Sequence, residues 1–258
     1  MKSYEFVTVE KRGHVLICTI NRPNVMNALH SPANMEMDDV WNTFAADDDL
    51  WVGVVTGAGE RAFSAGNDLK HQAMGGDMSL PAGGFGGLTS RFDLFKPMIA
   101  AVNGLALGGG FEIALACDII IASEKAGMGL PEPRVGLAAL AGGMQRLPRQ
   151  IGIKNAMGMM LTGRRIDAKE AYRLGLAQEV TTPETLMERT LAWAEEIAEC
   201  APLSVRATKE VAMKSQGCPL EEAMSMRFDG ISKMFSSEDF VEGPMAFAQK
   251  RKPQWKGR

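Results

Sequence analysis

The chain has 258 residues, 46% of them hydrophobic and 23% charged. That is enough apolar material for one large core, or a core with a small helical appendage, and it excludes a disordered chain. A formal net charge of -3 supplies no global positive field for phosphate backbones, so neither nucleic acid nor an anionic membrane is the expected partner.

Residues 6–10 and 15–20 are β-branched and apolar, separated by Lys11-Arg12-Gly13-His14, which reads as a hairpin with a glycine-containing turn. Ser31 then caps a helix that takes Pro32 in its first turn, and Met37, Val40, Trp41 and Phe44 recur at helical spacing. A strand over 51–56, the turn Gly57-Ala58-Gly59-Glu60, a glycine-rich stretch over 75–87 and a strand over 98–102 follow. Gly108-Gly109-Gly110 opens a helix over 111–117, and Ile119-Ile120-Ile121-Ala122 lacks polar alternation, as a strand buried on both faces does. From Met144 the signals turn mostly helical: 167–171, 183–200, 203–215 and 220–234. This predicts an α/β core over 1–195 and a helical region over 196–258.

Cys18, Cys117, Cys200 and Cys218 form no CxxC pair, so neither a zinc site nor a disulfide framework is signalled, and most read as buried filler. No segment supplies the ~18 consecutive apolar residues of a membrane span and no apolar signal core opens the chain, so a reducing cytoplasm is the expected location. His14, His30 and His71 are scattered without metal-ligand spacing. Gly57-Ala58-Gly59-Glu60-Arg61-Ala62 formally fits a dinucleotide fingerprint, but Phe63-Ser64-Ala65-Gly66-Asn67 is poor material for the phosphate-binding helix that must follow, so a turn is the better reading. Ser64 lacks the GxSxG elbow of a hydrolase.

Three clusters point to chemistry. Small residues over 62–69 (Ala-Phe-Ser-Ala-Gly-Asn-Asp-Leu) leave backbone N–H groups accessible to a ligand. The triple glycine places further N–H groups at a helix N-terminus, where the helix field favours negative charge, and Glu112 stands in the first turn of that helix. In Gly129-Leu130-Pro131-Glu132-Pro133-Arg134, the flanking prolines set Glu132 on an extended, rigid loop. A thioester carbonyl becoming an enolate needs fixed donors, and hydration of a double bond needs one group to take a proton from water and another to give one to carbon. Taken singly, Glu132 reads as a cap or a partner for Arg134, Glu112 as a favourable first-turn acid, and the glycines as a close-packing device.

In this order, from Asn21-Arg22-Pro23 to the end, the clusters resemble the enoyl-CoA hydratase (crotonase) family, together with Asn27-Ala28-Leu29, Ile99 to Gly104, Gly142-Gly143 with Arg146-Leu147-Pro148-Arg149, Leu161-Thr162-Gly163-Arg164 and Glu242 to Phe247. The resemblance implies the crotonase (ClpP-like) α/β spiral of repeated ββα units with a helical C-terminal trimerisation region that also closes the site. It implies Ala65 and Gly109 as oxyanion-hole donors, and Ala65, Gly66, Asn67, Asp68 and Gly109 as substrate-binding residues. It further implies that Glu112 activates the water added at C3 and that Glu132 delivers the proton at C2 of a 2-enoyl-CoA, giving a 3-hydroxyacyl-CoA, with no metal or redox cofactor and with coenzyme A as part of the substrate. It also implies a homotrimer or a dimer of trimers, methionines in core and subunit contacts, and a basic tail from Lys250 that either lies solvated or approaches coenzyme A phosphates.

Phe63 to Gly66, Gly84 to Thr89, Gly108 to Glu112 and the ending Pro253-Gln254-Trp255-Lys256-Gly257-Arg258 are similar to carnitinyl-CoA dehydratases. Where the family usually has Pro-Gly after the glycine matching Gly136, this chain has Ala139-Leu140, which bears on the water and on the acyl pocket. The competing functions are a double-bond isomerase or carnitinyl-CoA dehydratase, and a non-catalytic acyl-CoA- or RNA-binding relative; the acidic charge and the two glutamates argue against the last.

Overall fold

The computed structural model describes residues 2–258. β1 (Val7–Arg12) and β2 (Val15–Ile20) form the expected hairpin, which turns at Gly13 in the left-handed region with φ +55. α1 (Ser31–Ala46) buries Met37, Val40, Trp41 and Phe44 on one stripe. Its cap differs from expectation: His30 Nδ1 accepts from Ala33 N–H, and Ser31 is already helical. A histidine ring nitrogen meets the same orphan donor as the hydroxyl expected at Ser31.

Three strand pairs follow: β3 (Val52–Gly57) and β4 (Ala62–Ser64), then, after the short α2 (Leu69–Ala73), β5 (Met98–Val102) and β6 (Leu105–Leu107), then, after α3 (Gly109–Ala116), β7 (Ile119–Ser123) and β8 (Gly127–Gly129). α4 (Gly143–Ile151), α5 (Ile153–Met160), β9 (Ile166–Asp167), α6 (Ala168–Arg173) and β10 (Glu179–Thr181) lead into α7 (Leu186–Ala198), α8 (Pro202–Lys214), α9 (Leu220–Ser225), α10 (Asp229–Phe235) and α11 (Glu238–Ala248). The first strand of each pair joins a six-stranded sheet of order β1-β2-β3-β5-β7-β10, and the second joins a four-stranded sheet of order β4-β6-β8-β9. This alternation is the spiral of ββα units. Because the pairs advance in parallel and both faces of the larger sheet are covered, its central strands are apolar throughout.

The period of two along those strands divides the core. Val15, Ile17, Val52, Val54, Ile99 and Ile121 face Leu186 and Ala194 of α7, while Leu16, Cys18, Ile20, Val55, Ala100 and Ile120 face the layer of α1, Phe63 and Phe111. Residue 195, the expected division, lies within α7, which packs on the sheet to Ala198, and α8 begins at Pro202. The single helix expected over 220–234 is two, α9 and α10, interrupted at 226–228. Glu210 of α8, 3% exposed, accepts from Gly230 N–H at 2.6 Å and from Lys214 at 2.6 Å, tying the start of α10 onto α8.

The tail is neither loose nor simply solvated. Asp239 accepts from the backbone of Lys256 and Gly257, Glu242 pairs with Arg251, and Trp255 Nε1 donates to Glu199 O. Cys18 and Cys117 are buried as expected, whereas Cys200 is exposed and Cys218 half-buried. Among the described residues no helix is long and apolar enough to cross a membrane.

Candidate active site

Asn27 organises one wall. Buried to 1% exposure, it donates from Nδ2 to Ala58 O and Ala62 O and accepts at Oδ1 from Arg22 N–H. Ser64 Oγ donates to Asn27 O at 2.8 Å, and Leu29 pairs with the 66–68 segment through Gly66 O and Asp68 N–H. These bonds fix the small-residue loop after β4. The turn and strand at 57–64 replace the helix that a dinucleotide site would need.

The loop lies directly against the start of α3. A Cβ on Gly66, which has φ +87, would stand 2.6 Å from Leu107 O and 2.9 Å from Gly109 N; one on Gly110 would stand 2.1 Å from Ser64 O. Only glycines permit this approach. The Ala65 N–H, expected as an oxyanion donor, is taken by Met26 O at 2.9 Å, and Gly66 N–H donates to Ser64 Oγ. Among the described residues no acceptor meets the N–H of Asn67 or of Gly109, and both residues line one cavity of about 320 Å³. Asp68, expected at the substrate, caps α2 through His71 N–H and pairs with Arg22 at 3.1 Å, and it is not among the residues lining that cavity.

Glu112 and Glu132 line that same cavity. Glu112, in the first turn of α3 and 3% exposed, accepts at Oε1 from Gly143 N–H at 2.8 Å, at the start of α4. Burial raises its carboxyl to about 7; the Gly143 N–H pulls the other way and the Glu132 charge adds to the rise. Glu132 opens a 3-10 turn, Glu132–Val135, rather than an extended loop, and the turn ends at Gly136 with φ +73. A Cβ on Gly108 would lie 3.0 Å from Glu132 Oε1, so the glycine lets this carboxylate sit over the start of α3. Burial raises the Glu132 carboxyl as well, and its Oε2 is buried with no hydrogen-bond partner. Arg134 does not pair with it; Arg134 Nε donates to Thr162 O.

A buried acid and a half-buried one therefore face one cavity beside two amides that meet no acceptor among the described residues. Residues 10–258 match the description enoyl-CoA hydratase/isomerase. The chain belongs to that family. A carnitinyl-CoA dehydratase from Proteus mirabilis (strain HI4320) is 45% identical over 96% of this chain and 97% of its own length. One from Escherichia coli (strain K12) is 42% identical over 98% and 99%. The solved enoyl-CoA hydratase from Mycobacterium tuberculosis H37Rv is 39% identical, with a TM-score of 0.93 over 98% of this chain and 99% of that one.

Several wall residues of this family member escaped the sequence reading. Phe85 lies against Gly109, where a Cβ would meet its ring at 2.5 Å, and Asn34 Oδ1 accepts from Gly86 N–H to hold that glycine-rich turn. Gly84-Phe85 was legible as a motif but not as a wall, because its position depends on α1. His30 and His71, scattered in sequence, meet edge to face at 5.3 Å. Among the described residues no group of three or more metal-ligating side chains is placed to hold an ion.

Proposed function

We propose that the protein catalyses reversible syn addition of water to a 2-enoyl-CoA, giving a 3-hydroxyacyl-CoA. The observation that carries the reading is the pair of carboxylates, buried Glu112 and half-buried Glu132, in one cavity with the Asn67 and Gly109 amides, which meet no acceptor among the described residues. In hydration, Glu112 takes a proton from water as the water oxygen bonds to C3. The C2=C3 electrons move toward the thioester oxygen, where the Asn67 and Gly109 N–H groups hold the enolate. Glu132 then gives its proton to C2, and dehydration reverses each transfer.

Burial raises the carboxyls of both Glu112 and Glu132, and two acids at one cavity titrate as a pair. In the dehydration direction Glu132 takes the C2 proton and Glu112 protonates the departing hydroxyl. A second reading is a dehydratase acting on a carnitinyl-CoA-like ester, which the relatives' names support. The same reading places the protein in the cytoplasm, needs no metal or redox cofactor, and assembles the chain as a homotrimer or a dimer of trimers through its terminal helices. Exposed Phe235, Phe240 and Phe247 on α10 and α11 support that assembly.

The test is turnover of crotonyl-CoA and crotonobetainyl-CoA in ¹⁸O-labelled water, with Glu112→Gln and Glu132→Gln alongside. We expect label at C3 and losses of about 10²–10⁴-fold in each variant. Movement of the double bond without label would instead make the protein an isomerase, and a preference for crotonobetainyl-CoA would favour the second reading.

A further inference from the structure

Arg146, on α4, does not line the catalytic cavity, yet it is bonded to two residues that do. The side chain is half-buried, and both its hydrogen-bond partners are backbone carbonyls: Nη2 donates to Thr89 O at 2.9 Å and Nη1 to Ala141 O at 3.4 Å. These carbonyls belong to different walls. Thr89 closes the glycine-rich turn, where its Oγ1 accepts from Phe85 N–H at 2.8 Å and Phe85 lies against Gly109. Ala141 begins the segment that holds Glu112: Gly143 N–H bonds its Oε1 at 2.8 Å, and the Ala141 amide also favours the ionised carboxyl. Between them Gly142 has φ +99, and a Cβ there would strike Nη1. The guanidinium gives up hydration at this position, and burial draws its own pKa down while the Glu112 charge pulls it back up. A planar fork spans two fixed carbonyls at once, which a single ammonium does less rigidly.

We propose that Arg146 is a positioning residue for this site: by bridging Thr89 O and Ala141 O it locks the wall against Gly109 and the amides that grip Glu112 into one fixed relation. The proposal rests on the acyl-CoA reading and adds a residue that serves the reaction without touching the substrate. The same cation acts on Glu112 through space. The charged and titratable groups facing Glu112 are Glu132, from the 3-10 turn, whose charge pushes the Glu112 carboxyl up, and Arg146, from α4, whose charge draws it down. Cys117, at the end of α3, faces Arg146 but stays a thiol because burial pushes its pKa up. Loss of the cation therefore moves the Glu112 carboxyl above about 7, whereas a loop merely loosened enough to admit water moves it down. The sign of the change separates the two.

Two readouts on the full-length protein test this: crotonyl-CoA hydration kinetics, and a pH titration of the protonated-carboxyl stretch by infrared spectroscopy, with Glu112→Gln identifying the Glu112 band. Arg146→Met is expected to raise the Glu112 midpoint by about half a pH unit or more and to lower kcat about 10–100-fold, with KM changing less than about threefold because uniform binding is untouched. Arg146→Lys keeps the charge without the fork, so its midpoint should stay near that of the wild type while kcat still falls about threefold or more. An unchanged kcat in either variant overturns the bridge, as does a loss carried by KM alone, or a midpoint in Arg146→Met that stays put or falls. If Arg146→Met does not fold, Arg146→Lys alone decides, by its kcat. A midpoint that rises in Arg146→Met and holds in Arg146→Lys, in a protein that turns over no enoyl-CoA, keeps the link from Arg146 to Glu112 and removes the hydratase reading. Hydration by the wild type with kcat unchanged in both variants does the reverse.

Discussion

Replacing Glu112 with glutamine is expected to stabilise the protein while removing its activity, and to do so only where the pH ionises the native side chain. The Glu112 carboxyl titrates at about 7 in the folded chain, against 4.5 as its ordinary value. Between those values the folded state holds a proton that the unfolded chain has released, so stability falls as pH rises through that window and levels off above it. At about 1.4 kcal/mol per pH unit the gap corresponds to about 3 kcal/mol of destabilisation at pH 8 and less than about 1 kcal/mol at pH 5. Glutamine keeps an Oε1 acceptor for Gly143 N–H, bonded at 2.8 Å in the native protein, and carries no charge to desolvate. For a chain of this size the difference raises Tm by roughly 5–10 °C at pH 8. Thermal unfolding of both proteins at one matched concentration, scanned from pH 5 to pH 8, checks it. A Tm gap that does not widen with pH, or a variant less stable than the wild type at pH 8, would refute the claim that burial of this charge strains the site.

The same two acids set the rate profile. Because the working pair holds one proton, kcat/KM is expected to follow a bell with its alkaline limb near pH 7, and Glu132→Gln is expected to erase the acid limb; a rate that climbs steadily above pH 8 would contradict the assignment. Gly66→Ala places a Cβ 2.6 Å from Leu107 O and 2.9 Å from Gly109 N at a residue with φ +87. Displacement of the oxyanion donors should cost kcat about 10²–10³-fold, and stopped assays showing a change in KM alone would place the damage elsewhere.

The order of elements was legible in the chain because hydrophobic period and glycine placement are local. The run Ile119-Ile120-Ile121-Ala122, free of polar alternation, marked a strand covered on both faces, and β7 lies in the interior of the larger sheet. The stripe from Met37 to Phe44 marked the buried side of α1. Glu112 was legible as a first-turn acid because three consecutive glycines announce a close approach, and the structure brings Glu132 to the same cavity. Cap identity at His30 and the split between α9 and α10 were not legible. Each depends on a partner distant in sequence or on a side chain of unusual use, such as Glu210 reaching Gly230.

The sequence by itself determined which peptide groups were small enough to approach one another and which carboxylates stood on rigid ground. Only the tertiary structure decided which of those groups remained unpaired. Ala65 and Asn67 sit two residues apart in one loop, yet the first gives its N–H to Met26 O while the N–H of the second meets no acceptor among the described residues. The physical reason is that a backbone donor's availability depends on what folds against it, and Met26 reaches Ala65 only because Asn27 ties the 22–29 segment to Ala58 and Ala62.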